Sequence, residues 1–210
     1  MGSHTTLYLG SSPRHFKAKG ELFHLPLIKI VPRDFSLFSI KTAIDDLADY
    51  THIIFTSKNA VSIFCDLLKY YDLELSNQKV IAVGEITANA LASAGIKVSL
   101  IASQETQEGI MHELALLDLD EAYILLPCSA RARPALGQYL RNRQLRHKIC
   151  HLYDTIAQIP EKAPDLASFD TIVFTSPSTI EAFSALYGAL PKGKEIVTIG
   201  PITSQALASY

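Results

Sequence analysis

Tryptophan is absent from the 210 residues, and there are only three cysteines and two methionines. Cys65, Cys128 and Cys150 form no Cys-x-x-Cys pair, and their odd number and wide spacing argue against a disulfide framework or a zinc site. They read instead as small buried apolar residues. Neither sign of charge is in excess: 19 basic residues face 21 acidic ones, for a net charge of −2, so no global field draws the chain to nucleic acid or membrane. Any anionic partner has to be met locally. Apolar runs such as "IIF" and "VIAV" fall far short of the roughly 20 residues that span a bilayer. The N-terminus lacks the apolar core of a signal peptide, so a cytoplasmic protein without a membrane partner is expected. Missing too are Gly-x-x-x-x-Gly-Lys-Ser/Thr, Gly-x-Gly-x-x-Gly, His-Glu-x-x-His and Gly-x-Ser-x-Gly, which removes the usual support for nucleotide, zinc-protease and serine-hydrolase readings. What remains is 48% hydrophobic and 19% charged, an ordinary globular composition with length enough for one large or two small domains. The opening Met1–His4 is set aside.

What the sequence does hold is a repeat. "IIFTSKNAV" at 53–61 returns as "IVFTSPSTI" 119 positions later. "VIAVGEITANALAS" at 80–93 matches "IVTIGPITSQALAS" at 196–209 in seven of fourteen positions without a gap. "LYLGSSPR" at 7–14 lines up with "ILLPCSAR" at 124–131. This period is far too long for a solenoid and reads as two similar domains. Each copy sets a β-branched apolar run before a small-residue turn and then apolar residues at helical spacing, the pattern of βα units around a buried parallel sheet. In the first helix of this kind Val61, Phe64, Cys65 and Leu68 share one face, and Gly95 ends the next. The expected fold is therefore α/β, with two similar small parallel-sheet domains of flavodoxin-like type joined by a two-stranded linker. One domain is discontinuous, residues 1–25 plus 160–210; the other, 37–148, is inserted in it and carries four βα units. Two alternating apolar stretches, 24–32 and 150–160, each end in proline and cross between the domains, so residues 26–36 and 149–159 form the linker.

In an open parallel sheet the ligand lies beyond the C-terminal strand ends, where helix N-termini expose amides. The turns there are Thr56-Ser57-Lys58-Asn59, Gly84-Glu85-Ile86-Thr87, Thr175-Ser176-Pro177-Ser178 and Gly200-Pro201-Ile202-Thr203. Helix capping accounts for any one of them. Four in two domains point to facing rims suited to carboxylates or phosphates in an interdomain cleft. Arg131 and Arg14, in the two remaining turns, add groups that grip a carboxylate in two-pronged fashion. From Arg131 to Lys148 there are six basic residues and no acid. Without interleaved aromatics that run reads as a solvated helix face rather than a nucleic-acid surface. His147 and His151 are four apart, but the second falls in a crossing strand, which argues against a metal pair. Tyr153, in the same strand, is either a core residue or a proton donor facing the cleft.

"LPLIKIVP", "IIFTSKNAV", "VGEITANAL", "TQEGI", "LLPCSARA", "YDT", "FTSPSTIEAF" and "IGPITSQAL" occur in the order found in the uroporphyrinogen-III synthases, and along nearly its whole length the chain resembles that HemD-like family. The resemblance implies an enzyme of tetrapyrrole (haem) synthesis that converts linear hydroxymethylbilane to uroporphyrinogen III, with loss of water, inversion of ring D through a spiro intermediate, and no cofactor or metal. It also implies a cytoplasmic monomer whose partner is that small molecule and not nucleic acid. By the same resemblance Tyr153 matches the tyrosine proposed to assist departure of the hydroxyl, and Ser57, Thr87, Ser176 and Thr203 match cleft hydroxyls. Lys58, Asn59, Gly84, Arg131, Ser178 and Gly200 complete the expected substrate-binding set. Family members usually carry Thr-Arg after the first strand and a longer first helix, where this sequence has Gly10-Ser11 and "PRHFKAKGELF". They also usually continue beyond the second Gly-x-x-Thr helix, so a trimmed discontinuous domain is expected here. A non-catalytic two-domain module that closes on a carboxylated or tetrapyrrole-like ligand is the alternative, separated from the enzyme by Tyr153 and by turnover.

Overall fold

The computed structural model describes residues 3–14 and 16–210. In chain order its elements are β1 (Thr5–Tyr8), β2 (Glu21–His24), β3 (Ile28–Pro32), α1 (Phe38–Asp45), β4 (His52–Phe55), α2 (Lys58–Tyr70), β5 (Lys79–Ala82), α3 (Glu85–Ser93), β6 (Leu100–Ile101), α4 (Gln107–Ala115), β7 (Tyr123–Ser129), α5 (Ala135–Asn142), β8 (Arg146–Ala157), β9 (Thr171–Phe174), α6 (Pro177–Tyr187), β10 (Glu195–Thr198) and α7 (Pro201–Leu207). They form two compact units, one running up to Ile30 and resuming with Thr155–Tyr210, the other Val31–Asp154. We call these unit 1 and unit 2.

Unit 2 is built on a six-stranded sheet of order β3-β8-β7-β4-β5-β6, and unit 1 on a four-stranded sheet of order β10-β9-β1-β2. From β7 through β6 the pairing is parallel, as it is throughout the smaller sheet. All four residues of β4, and all four of β9, are buried, because helices cover both faces of these central strands. On one face of the larger sheet Ile54, Ile124 and Leu126 pack with Ile110 and Leu114 of α4 and Leu136 and Leu140 of α5. In unit 1, Leu7, Leu9, Ile172 and Phe174 pack with Ile180 and Phe183 of α6. The repeat has a physical core: Phe55 and Phe64 meet edge to face with centroids 5.3 Å apart, and Phe174 and Phe183, each 119 positions on, meet at 5.2 Å. Each of these four rings is at most 1% exposed, and full burial of such a side chain stabilises by about 1.5–3 kcal/mol.

Local chemistry sets the helix ends. Ser57 caps α2 by accepting a hydrogen bond from the Ala60 amide at 3.1 Å. Pro177 opens α6, where Thr179 Oγ1 accepts from the Thr175 and Ser176 amides, and Gly188 closes it with φ +79°. Gly95, read as the stop of α3, has φ +76°.

The structure departs from the expectations in four places. The stretch 149–159, read as linker, is continuous with β8, which pairs in parallel with β7 from Tyr123↔Arg146 onward and so adds a fifth parallel strand. β3 adds an edge beside it: the Arg33 amide donates to Leu152 O and the Gln158 amide to Leu27 O, partner numbers running in opposite directions as in an antiparallel pair. Both strands pass from one unit into the other. After β1 there is no helix among the described residues up to Gly20; "ELFH" is instead the edge strand β2, exposed at every position. Of the four βα units expected in the inserted domain, the third, "KVSLIA" and the helix after it, has a strand of only two residues, β6. Finally, Cys65 is half-buried, whereas Cys128 and Cys150 are buried, and burial pushes both of those thiols up to about 12.

Candidate functional site

In the larger sheet the chain leaves β4 toward β5 and β6 on one side, while β7 and β8 lie on the other. The strand order therefore reverses between β4 and β7, and their C-terminal ends frame the crevice where open α/β sheets bind ligands. Thr56 and Ser57 form one lip and Ser129, Ala130 and Arg131 the other.

The register of β8 completes this lip. A bulge between Cys128 and Ser129 sets Ser129 opposite Tyr153, which brings the tyrosine to the start of α2. Tyr153 is 4% exposed and its hydroxyl lies 2.9 Å from Ser57 Oγ. Since Ser57 Oγ already accepts the Ala60 amide, its own proton can go to the phenol, which leaves the phenolic proton to be donated elsewhere. Burial pushes the Tyr153 phenol up, and the Ser57 hydrogen bond draws it partly back. It is a protonated donor at neutral pH. Arg33 holds the following residue, with Nε and Nη2 each 2.8 Å from the Asp154 carboxylate, and keeps that carboxyl below the usual range. With the Arg33 amide on Leu152 O, β8 is clamped on both sides of Tyr153.

The helix N-termini expected to bind anions differ sharply. At α2 the Lys58 and Asn59 amides have no intrahelical acceptor, and Lys58 adds a half-buried cation with no acidic partner among the described residues. The α2 start is an open positive end. At α3 the place is taken: Glu105 Oε1 accepts the Glu85 amide at 2.9 Å, and its carboxylate lies where a Cβ on Gly84 would be, 2.5 Å away. No local pattern pointed to Glu105, which lies 20 residues along from the amide it fills. Thr87 is buried behind it, at 4% exposure. Arg131 is exposed, with its amide on Ser129 Oγ at 3.1 Å.

The remaining candidates belong to unit 1. Ser176 caps α6, but its buried Oγ only approaches the Thr179 amide and completes no hydrogen bond. Ser178 is half-buried in the first turn of the same helix. Gly200 is exposed at φ +82° before α7, and the Thr203 hydroxyl is spent on Ile199 O at 3.0 Å. Within unit 2, then, Tyr153, Ser57, Lys58 and Asn59 are gathered at one point. The basic run also acquires structural tasks: Arg133 grips Glu108 with two hydrogen bonds, Lys148 bonds Asp46, and Arg146 lies 3.8 Å over the Tyr123 ring. Among the described residues no three His, Cys, Asp or Glu side chains converge as a metal site.

The family description "Uroporphyrinogen-III synthase HemD" matches residues 15–210. The chain belongs to the HemD family. "Porphyrin biosynthesis protein HemD" of Ruminiclostridium josui is 28% identical over 198 residues, which are 88% of this chain and 38% of that protein. The chain thus spans well under half the length of this HemD relative. The uroporphyrinogen III synthase of Thermus thermophilus has the same fold, with TM-score 0.71 at 18% identity over 99% of this chain and 89% of that one. Uroporphyrinogen-III synthetase of Helicobacter pylori gives 0.62 at 18% identity, over 98% and 88%. The HemD fold of two parallel-sheet domains is therefore the fold of this chain.

Proposed function

We propose that the chain is a uroporphyrinogen-III synthase, closing hydroxymethylbilane to uroporphyrinogen III with inversion of ring D and loss of water. Family membership supports the reaction class. The observation that carries the reading in this chain is the Tyr153 phenol, protonated and 2.9 Å from the Ser57 cap of a helix whose first turn bears an unneutralised lysine.

The chemistry follows from those groups. As the C–O bond of the terminal hydroxymethyl breaks, the phenol gives its proton to the departing oxygen and water leaves. The pyrrole nitrogen lone pair stabilises the methylene left behind. The phenolate that forms lies against the α2 N-terminus, where the Ser57 hydroxyl and the positive helix end stabilise it. Ring D then attacks through its substituted carbon to give the spiro intermediate; loss of a ring proton after rearrangement restores the phenol, so the sum is macrocycle plus one water. Cyclisation of a bilane with a good leaving group is intrinsically easy, and the unguided route closes without inversion. Conformational control therefore contributes more than acid strength, and the substrate's carboxylates give Lys58 and the free α2 amides something to hold. We also infer a cytoplasmic monomer; no helix among the described residues is long and apolar enough to cross a membrane.

The test is isomer analysis of freshly generated hydroxymethylbilane with and without the protein, scored by chromatography after oxidation. Enrichment of isomer III is expected. Isomer I alone, from protein shown to be folded, would overturn the reading.

A further inference from the structure

On the α4 and α5 face of unit 2, opposite the face on which Ser57 caps α2, lies a cavity of about 310 Å³. Its floor is apolar: Ile54 of β4, Leu126 of β7 and Ile149 of β8, which stand side by side in the register of three adjacent strands and so share one side of the sheet. A glycine inside α5 forms part of its wall. A Cβ on Gly137 would lie 2.8 Å from Ile149 Cδ1 and 3.7 Å from Arg141 Nη1, so any larger residue there would press into the cavity. Ile149 reaches in against Gly137 and is still 37% exposed, which leaves apolar surface open to the cavity.

The rim carries charge, and not all of it is spent. Arg133 gives both prongs of its guanidinium to Glu108 at 2.7 and 2.8 Å. Arg141 has no acidic partner among the described residues, although its guanidinium reaches the cavity. His151, exposed on β8, also faces the cavity without a hydrogen bond among the described residues, and partial desolvation together with Arg33 draws its imidazole below the usual histidine range against the pull of Asp154, which favours the neutral ring that can donate or accept. An apolar floor, one unneutralised guanidinium and one neutral imidazole suit a small ring that carries a carboxylate. The volume lies at the lower end of small-molecule pockets, which admits one such ring with short arms but not four joined rings. The cavity is also lined by Thr56 and Ala130, so it opens at the same strand-order reversal as Ser57.

We propose that this cavity is a subsite for one carboxylated pyrrole ring, with its carboxylate on Arg141. The assignment of the ring as part of the substrate rests on the synthase reading above. Held there, one ring of the bilane would be anchored on one face of the sheet while the reacting end lies at the Tyr153 lip.

The test uses a monopyrrole bearing acetate and propionate arms, titrated into the full chain by calorimetry. Saturable binding is expected, weakened about tenfold by Arg141→Gln, as befits loss of a charge-assisted hydrogen bond, and abolished by Gly137→Val. Arg141 is exposed, so its variant keeps the fold testable if the valine does not fold. In the isomer assay Arg141→Gln should raise KM more than it lowers kcat. Equal monopyrrole affinity in wild type and Arg141→Gln, or no saturable binding to wild type, overturns the subsite. Isomer III formation without monopyrrole binding removes the subsite and leaves the synthase. Arg141-dependent binding in a folded protein that makes no isomer III keeps the site and removes the synthase.

Discussion

Tyr153→Phe removes one hydroxyl and leaves the ring in place, so its consequences follow from a single hydrogen bond. Ser57 Oγ keeps the Ala60 amide, and no buried group is orphaned; the loss should cost about 0.5–1.5 kcal/mol, or a melting shift of roughly 2–4 °C per kcal/mol for a chain of this length. Ser57→Ala should cost more. It removes an N-cap, typically about 1 kcal/mol, and leaves the phenol of a residue that is 4% exposed without its partner, a further penalty of about 1–3 kcal/mol. In the double variant that orphaned hydroxyl is gone, so adding phenylalanine to the alanine background should be neutral or stabilising. The measured coupling should be about 1 kcal/mol or more, read by urea denaturation followed by circular dichroism. Activity should show the same linkage with a different order. Tyr153→Phe is expected to lower turnover by about 10²–10⁴, the range of a positioned general acid, and Ser57→Ala added to it should lower turnover little further. Additive stabilities would refute the pairing of the two hydroxyls. Undiminished turnover in Tyr153→Phe would refute the acid role.

Other consequences can be checked separately. Gly109→Ala places a Cβ 2.1 Å from the Gln104 carbonyl oxygen, a backbone atom, so it should destabilise despite the roughly 1 kcal/mol that alanine ordinarily gains over glycine within a helix; a raised melting temperature would contradict this. Glu105→Gln withdraws a charge from the α3 N-terminus, and if that carboxylate competes with substrate anions, KM should fall roughly two- to fivefold, from a helix-charge interaction of about 0.3–1 kcal/mol. An unchanged KM would mean the α3 end takes no part in binding. Arg133 lowers the Glu108 carboxyl from 4.5 to about 2, so this contribution to stability is fully present above pH 4.5 and is lost as the pH falls toward 2. Arg133→Gln should flatten the urea midpoint against pH in that window alone, and parallel curves would show that the pair contributes nothing.

The legible parts of the fold were those where burial is uniform. "HIIF" and "TIVF" are buried at every position, and the residues that follow them repeat closely enough to place Phe64 and Phe183 on equivalent helices. β2 left no such mark, because an exposed edge strand has no buried face to impose a pattern. β8 misled for a related reason. Its alternation suits a linker as well as a sheet strand, and only the register with β7 decides between them. For the site, Tyr153 and Ser57 could each be singled out, yet they are 96 residues apart and their contact depends on a bulge that no local signal marks. Glu105 was missed because the amide it fills belongs to another βα unit. A signal did exist for the cavity: glycine in the middle of "PALGQYL" is costly in a helix unless space is needed beside it.

The repeat itself separates scaffold from chemistry. The order β10-β9-β1-β2 of unit 1 retraces β5-β4-β7-β8 of unit 2, and Thr175 and Ser176 stand where Thr56 and Ser57 do. Where α2 begins with Lys58, α6 begins with Pro177, which removes one amide donor and one positive charge from the helix end. Where β8 brings a phenol to the serine cap, β2 ends at His24, whose imidazole is spent on Gly10 O at 2.8 Å. The residues common to both copies, Thr-Ser, Gly-x-x-Thr and the paired phenylalanines, thus explain why two sheets form and how their helices are capped, and a shared turn cannot by itself account for chemistry found in one copy. The unshared residues Tyr153, Lys58 and Arg141 create the protonated donor and the unneutralised cations of unit 2. Transplanting them reverses the logic in a testable way: Lys58→Pro should weaken substrate binding with little loss of stability, since proline is tolerated at a first helical position, whereas Pro177→Lys should leave KM nearly unchanged. Equal effects of the two exchanges on KM would mean that both helix ends hold the substrate alike, and the asymmetry argued from the repeat would fall.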